Sequence, residues 1–585
     1  MQAEDLKNLP AIGESDVFRA LQLMPGVKAS SDISSGLYVR GGGPDQNLIL
    51  IDGTIVYNPS HLFGFFSTFN TDAVKDIELM KGGFPAEYGG RLSSVLNVTN
   101  KDGNRINYHG KGSVSLISSR LTAEGPVGNG SFFLSGRRTY FDVLVHAAGL
   151  DVGKDPLPLY YFYDANGKIN QEIDENNKIA FVGYLGNDNL TFNQNDGAIN
   201  INLLWGNNTG SLKYTHIFNQ TLFSNLIVTG SSYKSEVDGG LFNSKFLFEN
   251  TISDYSVKGD VDYFYSNEHF IKAGFWWSQY RFGVKRTFAG NEFYNLVLRP
   301  ANIATYIQDE WNMNERWNLS GGLRFEYQDA SKQYKLGPRF SSRYNLTEDV
   351  SLKFASGVYY QTLNLVTQEG FSFVDLWIPL DDKMVPSRAI DFILGTETHP
   401  FEGFDFNIEA YYKQYKNIVE LKAVASRTSE INQLFNLGDG DAYGAEFFFQ
   451  KKIGQLSGFI GYSLAWTNRT FAEINNGKTF QPKYDRRHDI SVVANYQLDE
   501  HWKFGAIYTY ATGQTYTAGV GRYAINTNER TFDKILAGDR YNRRLEPYYR
   551  LDFSVTKRAA FFGMKGSWYI QIFNVFNHRN VWFKQ

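Results

Sequence analysis

From about residue 105 onward, apolar and polar side chains alternate with a period of two. Between Asp489 and Leu498 the apolar positions are Ile490, Val492, Ala494, Tyr496 and Leu498, set between mostly polar neighbours. Trp502, Phe504, Ala506, Tyr508 and Tyr510 repeat the pattern on the next segment, and Phe406, Ile408, Ala410 and Tyr412 oppose Asn407, Glu409, Tyr411 and Lys413. Successive side chains of a strand point to opposite faces, so this pattern predicts many strands with one apolar and one polar face. The first hundred residues read differently. Ser15 is placed to cap a short helix presenting Val17, Ala20, Leu21 and Met24, which Pro25-Gly26 stops. Leu48 to Ile51 predicts a buried strand, Asp52-Gly53 a tight turn, Gly41 to Gly43 a plain turn, and 77–81 and 92–99 two further strands. Together these predict a small α+β domain ahead of a long all-β region.

The alternation marks roughly 21 strands between Arg105 and Gln585. The connections after even-numbered strands are tight: Val127-Gly128-Asn129-Gly130, Asp174 to Asn177, Ser266 to His269, Leu346 to Asp349 and Leu498 to His501. Long connections follow odd-numbered strands, at about 144–157, 286–302, 363–388, 420–437, 468–482 and 512–546. A large transmembrane barrel has this asymmetry, with short turns inside the cell envelope and long loops facing the medium. An odd count does not close an antiparallel ring, and an open edge in lipid leaves backbone groups unpaired. The expectation is therefore that about 21 of 22 strands are present and that the closing one lies outside this sequence.

Composition removes the competing classes. The chain has 16% aromatic residues and 55 Gly, with a mean hydropathy of −0.36. No run approaches ~18 apolar residues, so helical spans are excluded, whereas spanning strands need only ~9–11 alternating residues. With 58 basic and 61 acidic residues there is no cationic field for a nucleic acid. Cysteine is absent, which removes disulfides, thiolate metal sites and cysteine nucleophiles. The polar opening residues carry no charged-then-apolar leader.

Several short motifs now fall into order: Pro25-Gly26-Val27, Val39-Arg40-Gly41, Leu50-Ile51-Asp52-Gly53, Asp76-Ile77-Glu78 and Glu87-Tyr88-Gly89-Gly90. Over about residues 10–100 this set resembles the plug of a TonB-dependent outer-membrane transporter. Tyr306-Ile307-Gln308-Asp309-Glu310-Trp311, Gly337-Pro338-Arg339-Phe340 and Tyr484-Asp485-Arg486-Arg487-His488 resemble barrel segments of the same family, and Gly566 to Asn577 resembles its penultimate strand. Ahead of Tyr88-Gly89 stands Gly82-Gly83-Phe84-Pro85-Ala86-Glu87, where the lidded, carbohydrate-importing branch carries an alanine-rich segment. The resemblance implies a plug over 1–103 and a monomeric barrel over 104–585 in the bacterial outer membrane. It also implies active import of a scarce siderophore, vitamin, peptide or similar solute. An inner-membrane TonB-type complex would supply the energy through a segment ahead of Met1. The alternative is a passive barrel or surface-binding protein with a folded N-terminal module.

Candidate ligand contacts follow from the aromatic loop at the expected plug apex, Tyr57, Asn58, His61, Phe63, Phe65 and Phe66, and from the long barrel loops, Phe371, Phe373, Trp377, Arg522 and Tyr523. Arg40, Glu78 and Arg91 on the plug, set against Arg324, Glu326 and Glu409 on the wall, are candidates for a polar interface that can slip. Enzymatic chemistry has no foothold: no Gly-x-Ser-x-Gly elbow, His-Glu-x-x-His pair or phosphate loop occurs. Asp164-Ala165-Asn166-Gly167 with Glu175 fails as a calcium loop because Lys168 and Ile169 occupy positions that need a ligand and a glycine. Gly438-Asp439-Gly440-Asp441 reads as a tight re-entry turn. No metal or cofactor is expected.

Overall fold

The computed structural model describes residues 14–29, 36–150, 156–194, 198–241, 244–366, 376–422, 433, 435–526, 531–561 and 563–581. Among them, the sheet that dominates the molecule is a closed antiparallel barrel of 22 strands, from His109–Val114 to Met564–Ile572. Two of these strands share one stave. Asn291–Leu298 and Ala301–Asn312 both pair with His269–Phe288, the first along its upper half and the second along its lower half. Pro300 stands at the break between them and can donate no ladder hydrogen bond. The staves thus number 21, as the alternation indicates. Against the expectation that an odd number of staves leaves the ring open, the sheet closes with the last strand next to the first, and both expose nearly every side chain.

The wall is apolar outside and polar inside. Leu134, Phe181, Leu336 and Leu394 are each at least half exposed on the outer face, whereas Arg137, Asp164, Lys413 and Glu446 are buried on the inner one. That inversion of a soluble protein suits lipid outside and a packed, polar lumen inside. The calcium-like segment at Asp164 lies inside the strand Leu159–Glu172. Gly438 to Asp441 belongs to the strand Phe435–Lys451 and makes no turn. Its glycines serve packing, since a Cβ on Gly438 would lie 2.4 Å from the Phe471 ring. The predicted loop at 286–302 is likewise strand. Ala289 and Gly290, with φ of 48° and 79°, reverse the chain in two residues, and the ladder continues beyond the wall.

The lumen is filled by the described part of the first hundred residues. A four-stranded sheet runs in the order β2 (Thr54–Ile55), β1 (Asn47–Ile51), β4 (Ser94–Asn100), β3 (Val74–Met80), with β1 and β4 parallel. Every residue of β1 is buried because both faces are covered. Leu48 and Leu50 pack into a cluster with the wall residues Phe162 and Trp205, while Ile49 and Ile51 pack with Val17, Phe18 and Leu21 of helix α1 (Val17–Leu21). Asp52 and Gly53, with φ of 45° and 82°, make the predicted turn into β2. The last plug strand ends at Asn100 and the first barrel strand begins at His109.

The cap of α1 is Asp16 and not Ser15. Asp16 Oδ1 accepts from the Arg19 amide at 2.9 Å, and its Oδ2 accepts from the Ser67 amide at 2.6 Å. One carboxylate thus caps the helix and ties it to the loop that precedes β3, a double role that a Ser hydroxyl cannot fill. Asp16→Ala is expected to lower the plug's unfolding free energy by about 1–2 kcal/mol. A urea titration followed by plug tryptic cleavage checks this, with the barrel's own transition unmoved.

Candidate functional site

Inside a lumen, each buried charge of the plug needs a partner on the wall. Arg40 sits in the left-handed region at φ 46°, where the turn through Gly41 throws its guanidinium outward. Its Nε and Nη2 donate to Glu446 at 2.8 and 2.7 Å, and Nη2 also pairs with Glu409. Lys81 joins the same Glu446 carboxylate and donates to the Pro25 carbonyl at 2.9 Å. Burial alone would disfavour charge on Arg40, but the two carboxylates outweigh it and hold the guanidinium more firmly protonated than usual.

A second group of wall cations holds plug backbone. Arg324 is locked to Glu326 at 2.5 Å and donates to the carbonyls of Ala86 and Glu87 at 3.1 Å each. Arg339 donates to the carbonyls of Phe84, Pro85 and Tyr88 at 2.6 to 3.0 Å, and Lys413 donates to the Ser93 carbonyl at 2.8 Å. Residues 84–88 form no ladder of their own, and these arginines satisfy their carbonyl groups. Glu78 behaves differently from the other interface candidates. Its side chain reaches solvent on β3, and partial desolvation by the surrounding plug and wall, together with the nearby Asp76 and Glu87 carboxylates, raises its carboxyl above the usual range.

The aromatic loop at the plug apex mostly packs on the wall. Tyr57 is fully buried, donates to Asp254 at 2.9 Å and meets Trp377 edge-on at 5.6 Å. His61 stacks on Phe162 at 4.2 Å, with Nδ1 2.6 Å from Asp188 and Nε2 3.5 Å from Asp164. Burial opposes charge on this imidazole, yet the two aspartates prevail and move its pKa up. Phe66 is buried against Phe162, and Phe65 packs edge-on against Phe66 beneath Arg19. Leu62, Phe63 and Gly64 turn with φ of 48°, 54° and 102°, which lays the Phe63 ring on Trp205 at 4.7 Å. Asn58 donates to the Tyr233 hydroxyl at 2.9 Å.

Beside this loop lies a cavity of about 180 Å³, lined mostly by the plug, Phe18, Leu37, Tyr38 and Ile49 included. Asn58 and Phe63 line it, together with Arg91, Leu365 and Trp377, whereas Tyr57, His61, Phe65 and Phe66 do not. The hairpin Leu363–Val366 with Leu376–Pro379 contributes Leu365 and Trp377 to its wall. Arg91 lies 5.1 Å from the Trp377 ring, and neither its Nε nor the Trp377 indole Nε1 has a hydrogen-bond partner. Arg91 therefore belongs to this cavity more than to a slipping interface. Beside it Gln361 donates to Asp45 at 3.0 Å, and burial pushes the Asp45 carboxyl up to about 6 against the pull of Arg91. Phe371 and Phe373 lie outside the described residues. Arg522 and Tyr523 are exposed on the separate hairpin Gly519–Asn526 with Thr531–Ala537 and do not reach the cavity. Sequence reading missed Glu446, Arg137, Arg339 and Asp45. The alternation placed the first three on the lumen face, and that signal could have found them.

A polar-lined barrel with an N-terminal domain lodged inside it defines a plugged β-barrel protein of the outer membrane. The family model for the beta-barrel of TonB dependent receptor-like proteins matches residues 119–577, and that for the TonB-dependent receptor plug domain matches 1–94. The chain belongs to the TonB-dependent receptor family. It is 30% identical over 155 residues to a ferric enterobactin receptor of Pseudomonas aeruginosa, covering 23% of this chain and 20% of that one. It is 27% identical over 152 residues, with the same shares, to the ferrienterobactin receptor of Escherichia coli. The matched region is thus about a fifth of the length of these curated relatives. A structure of the Pseudomonas aeruginosa ferric enterobactin receptor with enterobactin superposes with a TM-score of 0.72 at 16% identity, over 99% of this chain and 94% of that one. The outer membrane transporter YddB of Escherichia coli gives 0.72 at 11%, over 99% and 94%.

Two outcomes follow from this geometry. Arg40→Ala leaves Glu446 buried without its main partner and is expected to destabilise plug seating by about 3–5 kcal/mol, read from the urea midpoint of plug release. Asp45 takes up a proton on folding between its ordinary value of 3.8 and about 6, so its contribution is full below that window and lost as pH rises through it. The thermal midpoint should contain a component that falls across this range, and Asp45→Asn should remove it.

Proposed function

We propose that the chain imports a solute of the ferric siderophore class across the outer membrane, driven by an inner-membrane TonB-type complex that pulls on the plug. The observation that carries this reading is the apex cavity: a buried arginine and an indole N–H, both with unused donor capacity, between the plug and the hairpin that carries Trp377. Such a site offers cation, aromatic face and hydrogen-bond donor to the oxygen-rich part of a metal chelate. At about 180 Å³ it holds a portion of such a solute and leaves the remainder to the outer loops. The names of the similar proteins, receptors for ferric enterobactin, support the same class. The filled lumen favours energised import over the passive or surface-binding alternative, since a pore for diffusion would have to be free of that domain. Nothing in the site asks for catalysis, and its groups are suited to holding and releasing.

Deletion of the gene in its host should abolish growth on ferric enterobactin as sole iron source, and uptake of the iron-labelled chelate should stop when the proton-motive force is collapsed. Arg91→Ala and Trp377→Ala should each weaken binding of that chelate to the purified full chain by about tenfold, the worth of one charge-assisted contact. Undiminished growth of the deletion strain, or equal uptake without energy, would contradict the proposal.

A further inference from the structure

Among the described residues two gaps lie on the seam between plug and wall, one beside the β3 edge of the plug sheet and one beneath its β1-β4 face and the Asp52-Gly53 turn. The smaller, about 280 Å³, lies beside β3 and is walled by the buried charge cluster of Lys81, Glu409 and Glu446. The larger, about 550 Å³, lies beneath Leu50 of β1, Asn97 and Thr99 of β4 and the Asp52-Gly53 turn, against wall strands between Leu159 and Asn312. Its lining extends to Glu172 and Lys178, which flank the short turn at 173–176, and to Thr215 and Asn225, close to the turn at 218–221. This chamber therefore reaches the end of the barrel that carries the short turns.

The carboxylates of the chamber are engaged. Asp52 and Asp102 pair with Lys168 at 2.9 Å each, Glu87 with Lys272 at 2.9 Å and Glu172 with Arg105 at 2.8 Å, while Asp260 accepts from the Asn225 amide at 3.0 Å. The uncommitted groups are donors. Among the described residues the exposed Lys213 ammonium makes no hydrogen bond or close ion pair, its charge acting on Asp262 from a distance, and the Trp276 indole N–H is buried without a partner. The Lys258 ammonium lies 3.5 Å above the Trp276 ring and donates only to the Gly53 carbonyl, at 2.7 Å. An acceptor arriving from a solute can replace that carbonyl without leaving the lysine unpaired. The Asp52-Gly53 turn itself is held to the wall through Lys168 and Lys258, two polar ties that water or a solute can replace.

We propose that this chamber is a second, transit site for the solute, taking its anionic, acceptor-rich portion on Lys213, Lys258 and Trp276, and that displacement of the Asp52-Gly53 turn opens the way into it. The site rests on the import reading for its solute, but its position on the seam is testable without one. The chain lacks cysteine, so tethers are unambiguous. A Cβ on Gly53 would lie 3.8 Å from Ile227 Cδ1, and one on Gly83 would lie 2.7 Å from Ala355 Cβ on the opposite sector. Ion current would be measured through the purified full chain in a planar bilayer, at a urea concentration that loosens the plug while the barrel stays inserted. Gly53→Cys with Ile227→Cys, joined by a short crosslinker that contains a disulfide, should abolish the current, and reductant should restore it; the single variants control for strain at the turn. Gly83→Cys with Ala355→Cys should leave current flowing, and Lys213→Glu should move the anion-to-cation preference toward cations. Current that persists under the first tether, or is lost equally under both, overturns the proposal. Failure of cells to take up ferric enterobactin, with the current still sensitive to the first tether, would remove the siderophore reading and leave the chamber standing.

Discussion

A charge placed inside a sealed barrel has no bulk water to fall back on, and this constraint orders the rest of the structure. Lipid forces the wall to satisfy its backbone within a ring and to put apolar side chains outward. The inward side chains are then free to be polar, and here they are arginines, lysines and carboxylates matched to a domain that fills the space. Glu446 is buried because Arg40 and Lys81 reach it from the plug, and Arg324 and Arg339 are buried because the carbonyls of residues 84–88 accept from them. Neither half of the molecule would tolerate its charges without the other.

Matched polar contacts make the charged part of the seam reversible. The apolar part, where Leu48, Leu50, Tyr57 and Phe66 pack with wall residues such as Phe162 and Trp205, has to be exposed for the plug to move and sets most of the resistance. Hydrogen bonds and ion pairs can be exchanged for others, or for water, at small net cost once water enters. The seam is nonetheless uneven. The β3 edge of the plug sheet is anchored by the Arg40 cluster, whereas the Asp52-Gly53 turn and the β1-β4 face above it meet the wall across a chamber.

Much of this was legible in the chain. Period-two alternation gives the staves, and the split between tight and long connections gives their direction, because both reflect the lipid boundary directly. The Asp52-Gly53 turn and the buried strand before it are local signals and fall where expected. Features decided by tertiary contact were not legible. Asp16 wins the cap over Ser15 because its second oxygen has Ser67 to bind, and 286–302 is ladder because a two-residue turn at Ala289-Gly290 extends the hairpin outward. Gly438 to Asp441 reads as a turn until Phe471 is seen to need the space.

The candidate site was read less completely. The aromatic loop was correctly singled out as more than a connector, but Tyr57, His61 and Phe66 are consumed by the wall, leaving Asn58 and Phe63 at the cavity. Which aromatic faces a wall and which a cavity depends on the register of strands hundreds of residues away, such as that carrying Asp254.

The account depends most on the opening sixth of the chain lying inside the ring. Ala86 and Gly322 are the direct probe, because a Cβ on Gly322 would stand 3.0 Å from Ala86 Cβ, within relaxation of disulfide geometry. Oxidising intact cells that express Ala86→Cys with Gly322→Cys should give one intramolecular cross-link, seen as a reductant-sensitive change in gel migration. Free thiols at both positions, or bridges only between separate chains, would contradict it.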